Sequence, residues 1–432
     1  MRASRIARRF IVFIFVVFVF FTGFISLQYD VDIDDDAVSK LSIRRKNRPL
    51  DPARNHIRSL MMESEKVADE GSKFGNFRNR FKKWQPRWLS ARVKLAAEKN
   101  ITVDETRYVI YRCDQSDAYG CRDWAELVQG MTQTYVVSTL AGRRFKAELV
   151  NFPCTLEDFV SAAVVQWTHP VTFHHFLRTG LPGVGILDYP TGSSFYQQVS
   201  TTNFSQLMPD ALAYMYFRSE DSFLSHLGDS DLYRSKQLAW MQGMNQAQVH
   251  AILDRRLFKL SPRMQRHLDL YLYAILPSEG HRLICLDISS SPYDVTQQEA
   301  GPDDSVLRKV WNFVLEHSKT QVDKIYLRTD YPHVRHSASR QSFARSTVHK
   351  LEVTRSTSHL GEAGATCERL EHGLIDHYIM RNCDVLLVSG SQLGRLAAAV
   401  RASDEGLFCL MANGHIHPCN TKGLSDLFVA HS

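Results

Sequence analysis

The alternation of apolar and polar positions becomes regular from residue 107 onward. Residues 107–113 form a run of β-branched and aromatic side chains that predicts a strand. Beyond a loop, apolar side chains recur at offsets of 3, 4, 7, 11, 12 and 16, which places them on one face of a long helix. These are Trp124, Leu127, Val128, Met131, Tyr135, Val136 and Leu140. Because residues 146–152 again read as a strand, the pattern predicts a βαβ unit.

The pattern is less regular between residues 155 and 281. Residues 211–217 and 233–258 have the composition of helices, and a further helix is predicted over 264–276. Short runs rich in Gly, Pro and Ser separate these segments and predict loops.

From residue 282 strands and helices alternate again. Strands are predicted at 283–288, 324–330, 351–354 and 407–411, and helices begin near 302–305 and span 367–381. Such alternation is typical of a parallel, doubly wound α/β sheet. We therefore predict an N-terminal lobe over 105–281 and a C-terminal lobe over 282–432. A ligand cleft is expected between them.

The stretch from Asp384 to Val400 predicts a ligand site in the second lobe. Residues 384–388 are a short apolar run, residues 389–392 (Ser-Gly-Ser-Gln) form a polar turn, and a helix follows. The first N–H groups of a helix have no partners within it and lie at the positive end of its dipole, so such a turn favours phosphate groups. The alternative is an ordinary turn in which Ser391 caps the helix.

The N-terminal end of the chain predicts a membrane anchor. Residues 10–27 are uncharged and almost wholly apolar, long enough to span a bilayer core, and arginines precede them. We expect residues 1–9 to be a cytosolic tail, 10–27 a transmembrane signal anchor and 28–104 a charged luminal stem. A cleaved signal peptide is the alternative, although no small-residue cleavage site ends the run.

The charge of the chain limits its partners. The 432 residues carry a net charge of +6, which suits anionic ligands. No zinc-spaced Cys/His set, Walker-type loop or aromatic-basic repeat accompanies this charge, so no nucleic-acid partner is expected.

The cysteines and two acceptor triplets agree with a luminal location. All eight cysteines follow the predicted anchor, and an oxidising lumen favours disulfides. The pairs closest in sequence are Cys113 with Cys121 or Cys154, and Cys409 with Cys419. Cys285 lies in an apolar run and is a candidate buried free thiol. Asn100 and Asn203 begin N-glycosylation triplets.

Four motifs resemble a fucosyltransferase-like family of Golgi glycosyltransferases. They lie at 108–113, 120–130, 140–145 and 382–398. The resemblance implies a GT-B fold with two Rossmann-like lobes, a GDP-fucose donor, a glycan acceptor, inversion at the sugar carbon and no metal requirement. It also implies a single-pass type II protein of the Golgi membrane, with its catalytic part in the lumen.

The resemblance also implies site residues. Donor-binding candidates on the C-terminal side are Ser389, Gly390, Ser391, Gln392, Arg328, Asp330 and His359. The facing acceptor wall would comprise Arg122 and Trp124, with Asp123 as the candidate general base. Inversion requires such a base near the acceptor hydroxyl and positive charge near the departing diphosphate.

One position departs from the family pattern. The family usually carries a His-x-Arg motif at the end of the first C-terminal strand, where this chain has Asp287 and Ser289. Either Arg328 on the next strand substitutes for the missing arginine, or this alignment of the motif is incorrect. If neither holds, the chain is a non-catalytic relative that binds glycans or a partner in the lumen.

Overall fold

The computed structural model describes residues 104–114, 123–152, 154–168, 184–190, 193–219, 222–228, 230–234, 238–276, 280–289, 301–318, 322–348 and 363–424. None of the helices within these ranges has both the length and the apolar character needed to cross a bilayer. The predicted tail, anchor and stem (1–103) lie outside the described residues, and so does the predicted strand at 351–354.

Twelve strands belong to the described ranges. They are β1 (Asp104–Asp114), β2 (Arg143–Val150), β3 (Val160–Ala162), β4 (Val184–Tyr189), β5 (Tyr214–Ser219), β6 (Phe258–Leu260), β7 (Leu283–Ile288), β8 (Lys324–Thr329), β9 (Thr347–Val348), β10 (Val385–Val388), β11 (Leu407–Leu410) and β12 (Ile416–Pro418).

Eleven α-helices are described in the same ranges. They are α1 (Trp124–Leu140), α2 (Phe195–Gln198), α3 (Phe204–Leu207), α4 (Leu224–Gly228), α5 (Asp231–Arg234), α6 (Gln246–Leu257), α7 (Pro262–Ile275), α8 (Asp304–His317), α9 (Pro332–Ser339), α10 (Ala363–Met380) and α11 (Gln392–Arg401). Short 3-10 helices occupy Leu156–Asp158, Ala239–Met241 and Ala344–Ser346.

The strands form two parallel sheets and one small ribbon. The first sheet has the order β2-β1-β5-β4, and all its pairings are parallel. The second has the order β12-β11-β10-β7-β8-β9, in which only the β11–β12 pairing is antiparallel. β3 and β6 form an antiparallel ribbon. The predicted mixed α/β fold with parallel sheets is confirmed.

Two long helices begin at acidic capping residues. Asp123 caps α1 by accepting a hydrogen bond from the Glu126 N–H. Asp303 caps α8 by accepting from two N–H groups of the first turn. Both carboxylates satisfy backbone donors that would otherwise lack partners, and both lie at the positive end of a helix dipole.

One hydrophobic core joins elements from both halves of the sequence. The apolar face of α1 packs against α10 and α11, so Leu127 and Leu374 belong to the same buried cluster as Leu393. α11 also packs along α6 through small residues, including Ala397 and Ala398. Both sheets therefore meet through shared helices, and α11 lies at the centre of this contact.

The disulfides only partly follow the predicted pairs. Cys409 pairs with Cys419 as predicted. The predicted Cys113–Cys154 alternative is wrong, because Cys154 pairs with Cys367 across 213 residues of sequence. The candidate free thiol is also wrong, since Cys285 of β7 pairs with Cys383 at the start of β10. Cys113 is disulfide-bonded as well.

Two helix predictions in the middle of the chain are wrong. The predicted helix at 211–217 is largely strand β5, whose aromatic residues pack within the first sheet. The predicted helix at 233–258 is interrupted, because a 3-10 turn and the capping box of Asn245 and Gln248 start α6 only at Gln246. Residues 214–219 form a strand because they pair with β1 and β4, and local composition does not reveal such pairing.

Candidate functional site

The 389–391 turn connects a buried central strand to α11. β10 lies between β7 and β11, and all four of its residues are buried. Ser391 is the N-cap of α11, with its Oγ 3.0 Å from the Gly394 nitrogen that donates to it. The alternative of a turn capped by Ser391 is therefore present in the structure, although a capped turn can still bind an anion with its remaining N–H groups.

Ser389 ties this turn to the end of β7. Its Oγ donates to the backbone oxygen of Ser289 at 2.9 Å and accepts from the backbone nitrogen of Ser289 at 3.1 Å. The carboxyl ends of β7 and β10 are thereby held together. Asp287 and Ser289 consequently lie directly beside the turn.

Arg328 brings a guanidinium group to the same turn. From β8, its Nη1 lies 3.2 Å from Ser391 Oγ and 3.0 Å from Ser289 Oγ. The side chain is 14% exposed. A positive charge therefore lies beside the amino-terminal end of α11.

Asp287 occupies the space between this guanidinium and the helix. Its Oδ1 lies 2.6 Å from Arg328 Nη1, and its Oδ2 accepts a hydrogen bond from Ser391 Oγ. The side chain is fully buried. A methyl group added at Gly394 would collide with the same carboxylate. A carboxylate of the protein itself thus lies where an anionic ligand of α11 would bind.

The charge around Arg328 is dominated by carboxylates. Burial alone would lower the pKa of its guanidinium, but the nearby carboxylates of Asp287, Asp330 and Asp376 raise it. Asp376 Oδ2 lies 3.4 Å from Arg328 Nε. Asp330, which follows β8, is exposed. The guanidinium is therefore permanently charged, and more than one carboxylate offsets its charge.

The sequence did not indicate that Asp376 and Gln129 belong to this site. Asp376 interrupts the apolar face of α10, which is the one signal that could have identified it. Gln129 of α1 accepts a hydrogen bond from Gln392 Nε2 at 2.8 Å. This bond places the first turn of α11 against the helix of the first βαβ unit.

The predicted acceptor wall requires correction. Trp124 does not line a cleft, because its side chain is 1% exposed and packs against Phe258 and Gly373. Asp123 is the helix cap described above and uses Oδ1 for that role. Its assignment as a general base stays a prediction. Arg122 lies outside the described residues.

Of the remaining predicted site and glycosylation residues, two lie within the described residues and two lie outside them. Gly390 lies in the turn itself and is partly exposed. Asn203 caps α3 by accepting through Oδ1 from the Ser205 and Gln206 N–H groups. His359 and Asn100 lie outside the described residues.

One motif of the family resemblance has a structural role. Arg143 is buried, and its guanidinium donates to the backbone oxygens of Leu212 at 2.6 Å and of Met208 and Pro209 at 2.8 Å. It donates to three backbone carbonyl groups of the segment that precedes β5. This arginine therefore stabilises the fold and does not reach the 389–391 turn through these contacts.

Comparisons with known proteins were made on sequence and on structure. No protein-family model matches the chain, and no curated protein matches its sequence. FUT1 of Arabidopsis thaliana in complex with GDP has a TM-score of 0.48 and 12% identity, with 78% of each chain covered. Fucosyltransferase NodZ from Bradyrhizobium has a TM-score of 0.44 and 14% identity, with 73% of this chain and 98% of that chain covered. The chain is thus similar to solved fucosyltransferase structures, at low sequence identity.

Proposed function

We propose that the chain is a glycosyltransferase that transfers fucose from GDP-fucose to a glycan acceptor with inversion. The observation that carries this proposal is the position of Arg328, whose Nη1 lies 3.2 Å from Ser391 Oγ. A guanidinium at the amino-terminal end of a helix provides both charge and directed donors for a diphosphate. The family motifs at 382–398 support the same assignment.

In this proposal the donor binds at the 389–391 turn. Backbone N–H groups at the start of α11 and the Arg328 guanidinium would contact the diphosphate. Positive charge there would stabilise the negative charge that develops as the diphosphate departs. Gln392 and Gln129 would hold the first turn of α11 against α1, because their side chains form a hydrogen bond between the two helices.

The acceptor hydroxyl requires a base on the opposite side of the sugar carbon. Asp123 remains our candidate, because it is a carboxylate at the start of α1 whose described cap hydrogen bond engages Oδ1.

We propose that the protein is a type II protein of the Golgi membrane, anchored by residues 10–27. The disulfides of Cys154 and Cys285 agree with an oxidising compartment.

A transfer assay tests this function. The full chain in detergent would be incubated with radiolabelled GDP-fucose and a mixture of glycan acceptors. We expect incorporation of label by the wild type, a loss of about a hundredfold or more in Arg328→Gln, and wild-type incorporation in Arg308→Gln. Arg308 is a matched control because it is an exposed arginine of α8 in the same part of the chain. Absence of label from every acceptor with the wild type would refute the proposal.

Asp287 supports a second candidate function. Because its carboxylate already pairs with Arg328 and Ser391, the site in this state has no uncompensated positive charge for a diphosphate. The chain would then be a non-catalytic luminal protein that binds a glycan or a partner. Saturable glycan binding by the wild type, with no GDP binding by calorimetry and no transfer, is the result that this candidate predicts.

A further inference from the structure

Arg328 is held by two carboxylates that come from different elements. Its Nη1 lies 2.6 Å from Asp287 Oδ1 at the end of β7, and its Nε lies 3.4 Å from Asp376 Oδ2 on α10. Two edges of the same guanidinium are therefore engaged by different partners. A change of partner at Nη1 leaves the contact at Nε in place.

Asp376 is fixed in the core. It is 2% exposed, and its Oδ1 accepts a hydrogen bond from the hydroxyl of Tyr326, which is itself buried. Burial, followed by the Asp376 charge, raises the pKa of Tyr326 well above its usual value, so this hydroxyl stays a donor. Tyr271 faces the same carboxylate from α7, and its pKa is raised mainly by burial. Moving Asp376 would therefore disturb three packed elements.

Asp287 has a different set of partners. Its carboxylate bonds to Arg328, to Ser391 and to Ser289 Oγ at 3.3 Å. These partners are a guanidinium and hydroxyl groups beside the 389–391 turn, which can bind phosphate oxygens as readily as a carboxylate. Asp287 and a diphosphate cannot occupy this position together, because both would need the same donors, Arg328 Nη1 and Ser391 Oγ, and their negative charges would repel each other.

We propose that Asp287 is an exchangeable internal anion and that Asp376 is the fixed anchor of Arg328. This inference rests on the proposed donor site. When a nucleoside diphosphate arrives, Nη1 and Ser391 exchange the Asp287 carboxylate for a phosphate oxygen. Asp376 meanwhile keeps the guanidinium aimed at the turn. Asp287 therefore lowers the affinity for the diphosphate and preserves the arrangement of its binding groups when the site is empty.

The exchange predicts opposite effects for two isosteric substitutions. Asp287→Asn keeps the size of the side chain and removes the competing charge, so the affinity of the full chain for GDP should rise about tenfold or more. Asp376→Asn removes the anchoring charge, so the affinity for GDP should fall by about tenfold or more. Asp304→Asn, at an exposed position of α8, is the control for a general change in net charge and should leave the affinity unchanged.

The double variant distinguishes positioning from a purely structural role. If Asp376 aims Arg328 at the phosphate, the gain from Asp287→Asn should disappear in the Asp287→Asn/Asp376→Asn protein. If Asp376 only stabilises the fold, the melting temperature falls while the gain in GDP affinity persists, and the positioning role is overturned. Asp287→Ser serves as a second variant for the binding measurement if Asp287→Asn does not fold.

The outcomes separate this inference from the proposed function. A wild-type protein that transfers fucose, with GDP affinity unchanged or weaker in both Asp287 variants, overturns the exchange and retains the function. Tighter GDP binding by Asp287→Asn without transfer by either protein supports the exchange and refutes the fucosyl-transfer proposal. GDP binding by Asp287→Asn with none by the wild type shows that Asp287 cannot be displaced, which also overturns the exchange.

Discussion

Substitution of Gly394 tests the arrangement at the start of α11 through protein stability alone. An added methyl group would collide with Asp287 Oδ2 and would lie 2.8 Å from Asp287 Cγ. Displacing the carboxylate without a replacement anion would break its contacts with Arg328 and Ser391, because it is buried and bonded to both. Gly394→Ala should therefore disrupt a buried, charged hydrogen-bond network and not merely crowd a flexible side chain.

The size of the effect follows from two opposing contributions. Overpacking in a buried site costs about 1–3 kcal/mol, and the displaced ion pair adds to this cost. Alanine in a helix is favoured over glycine by up to ~1 kcal/mol, which offsets part of the cost. We expect Gly394→Ala to lower the free energy of unfolding by about 2–3 kcal/mol.

A double-mutant cycle isolates the contact with Asp287. In an Asp287→Ser background the shorter side chain leaves room for the methyl group, so Gly394→Ala should be neutral or stabilising there. The expected coupling is about 2 kcal/mol between the two positions. Urea denaturation gives the free energy of unfolding of the wild type, the two single variants and the double variant. The disulfides are kept intact in all four proteins. Equal destabilisation by Gly394→Ala in both backgrounds would refute the placement of the carboxylate beside α11.

Three further predictions concern the fold. Arg143→Ala should lower the free energy of unfolding by about 3 kcal/mol or more in urea denaturation, because three backbone carbonyl oxygens lose a charged donor, whereas the neighbouring Arg144→Ala should lower it less. Burial lowers the pKa of His250 to about 4 from an unfolded value near 6.5. The free energy of unfolding should therefore fall by about 3 kcal/mol as the pH is lowered from 6.5 to 4, because His250 takes up a proton more readily in the unfolded chain. His250→Gln should lack this part of the pH dependence in paired denaturation curves, and identical pH dependence would contradict the assignment. Replacing Cys154 and Cys367 together by serine should lower the melting temperature by an amount corresponding to about 3 kcal/mol, because their disulfide closes a long loop.

Local patterns were sufficient for four strands of the second sheet, β7, β8, β10 and β11, but not for the short strands β9 and β12. The buried run at β10 is a continuous apolar stretch and that at β7 is apolar except for Asp287, while α8 has the periodicity of an amphipathic helix with Asp303 as its cap. These features depend on residues that are close in sequence. The strand–turn–helix around Ser391 was predicted for the same reason, and so was its capping role.

The contacts that determine the chemistry of the site were not available from local patterns. Arg328 meets Asp376 because α10 packs beside β8, and no spacing in the sequence expresses this contact. Trp124 was predicted both on the apolar face of α1 and, from the family resemblance, in the acceptor wall, and the structure has it packed in the core. The replacement of the family's basic motif by Asp287 was visible in the sequence, but its pairing with Arg328 required the arrangement of adjacent strands.

Calorimetric titration of the full chain with GDP is the most direct test of a diphosphate site at the 389–391 turn. We predict saturable binding by the wild type, binding at least about tenfold weaker in Arg328→Gln, and wild-type affinity in Arg308→Gln. No binding by the wild type, or equal affinity in the wild type and Arg328→Gln, would contradict the account.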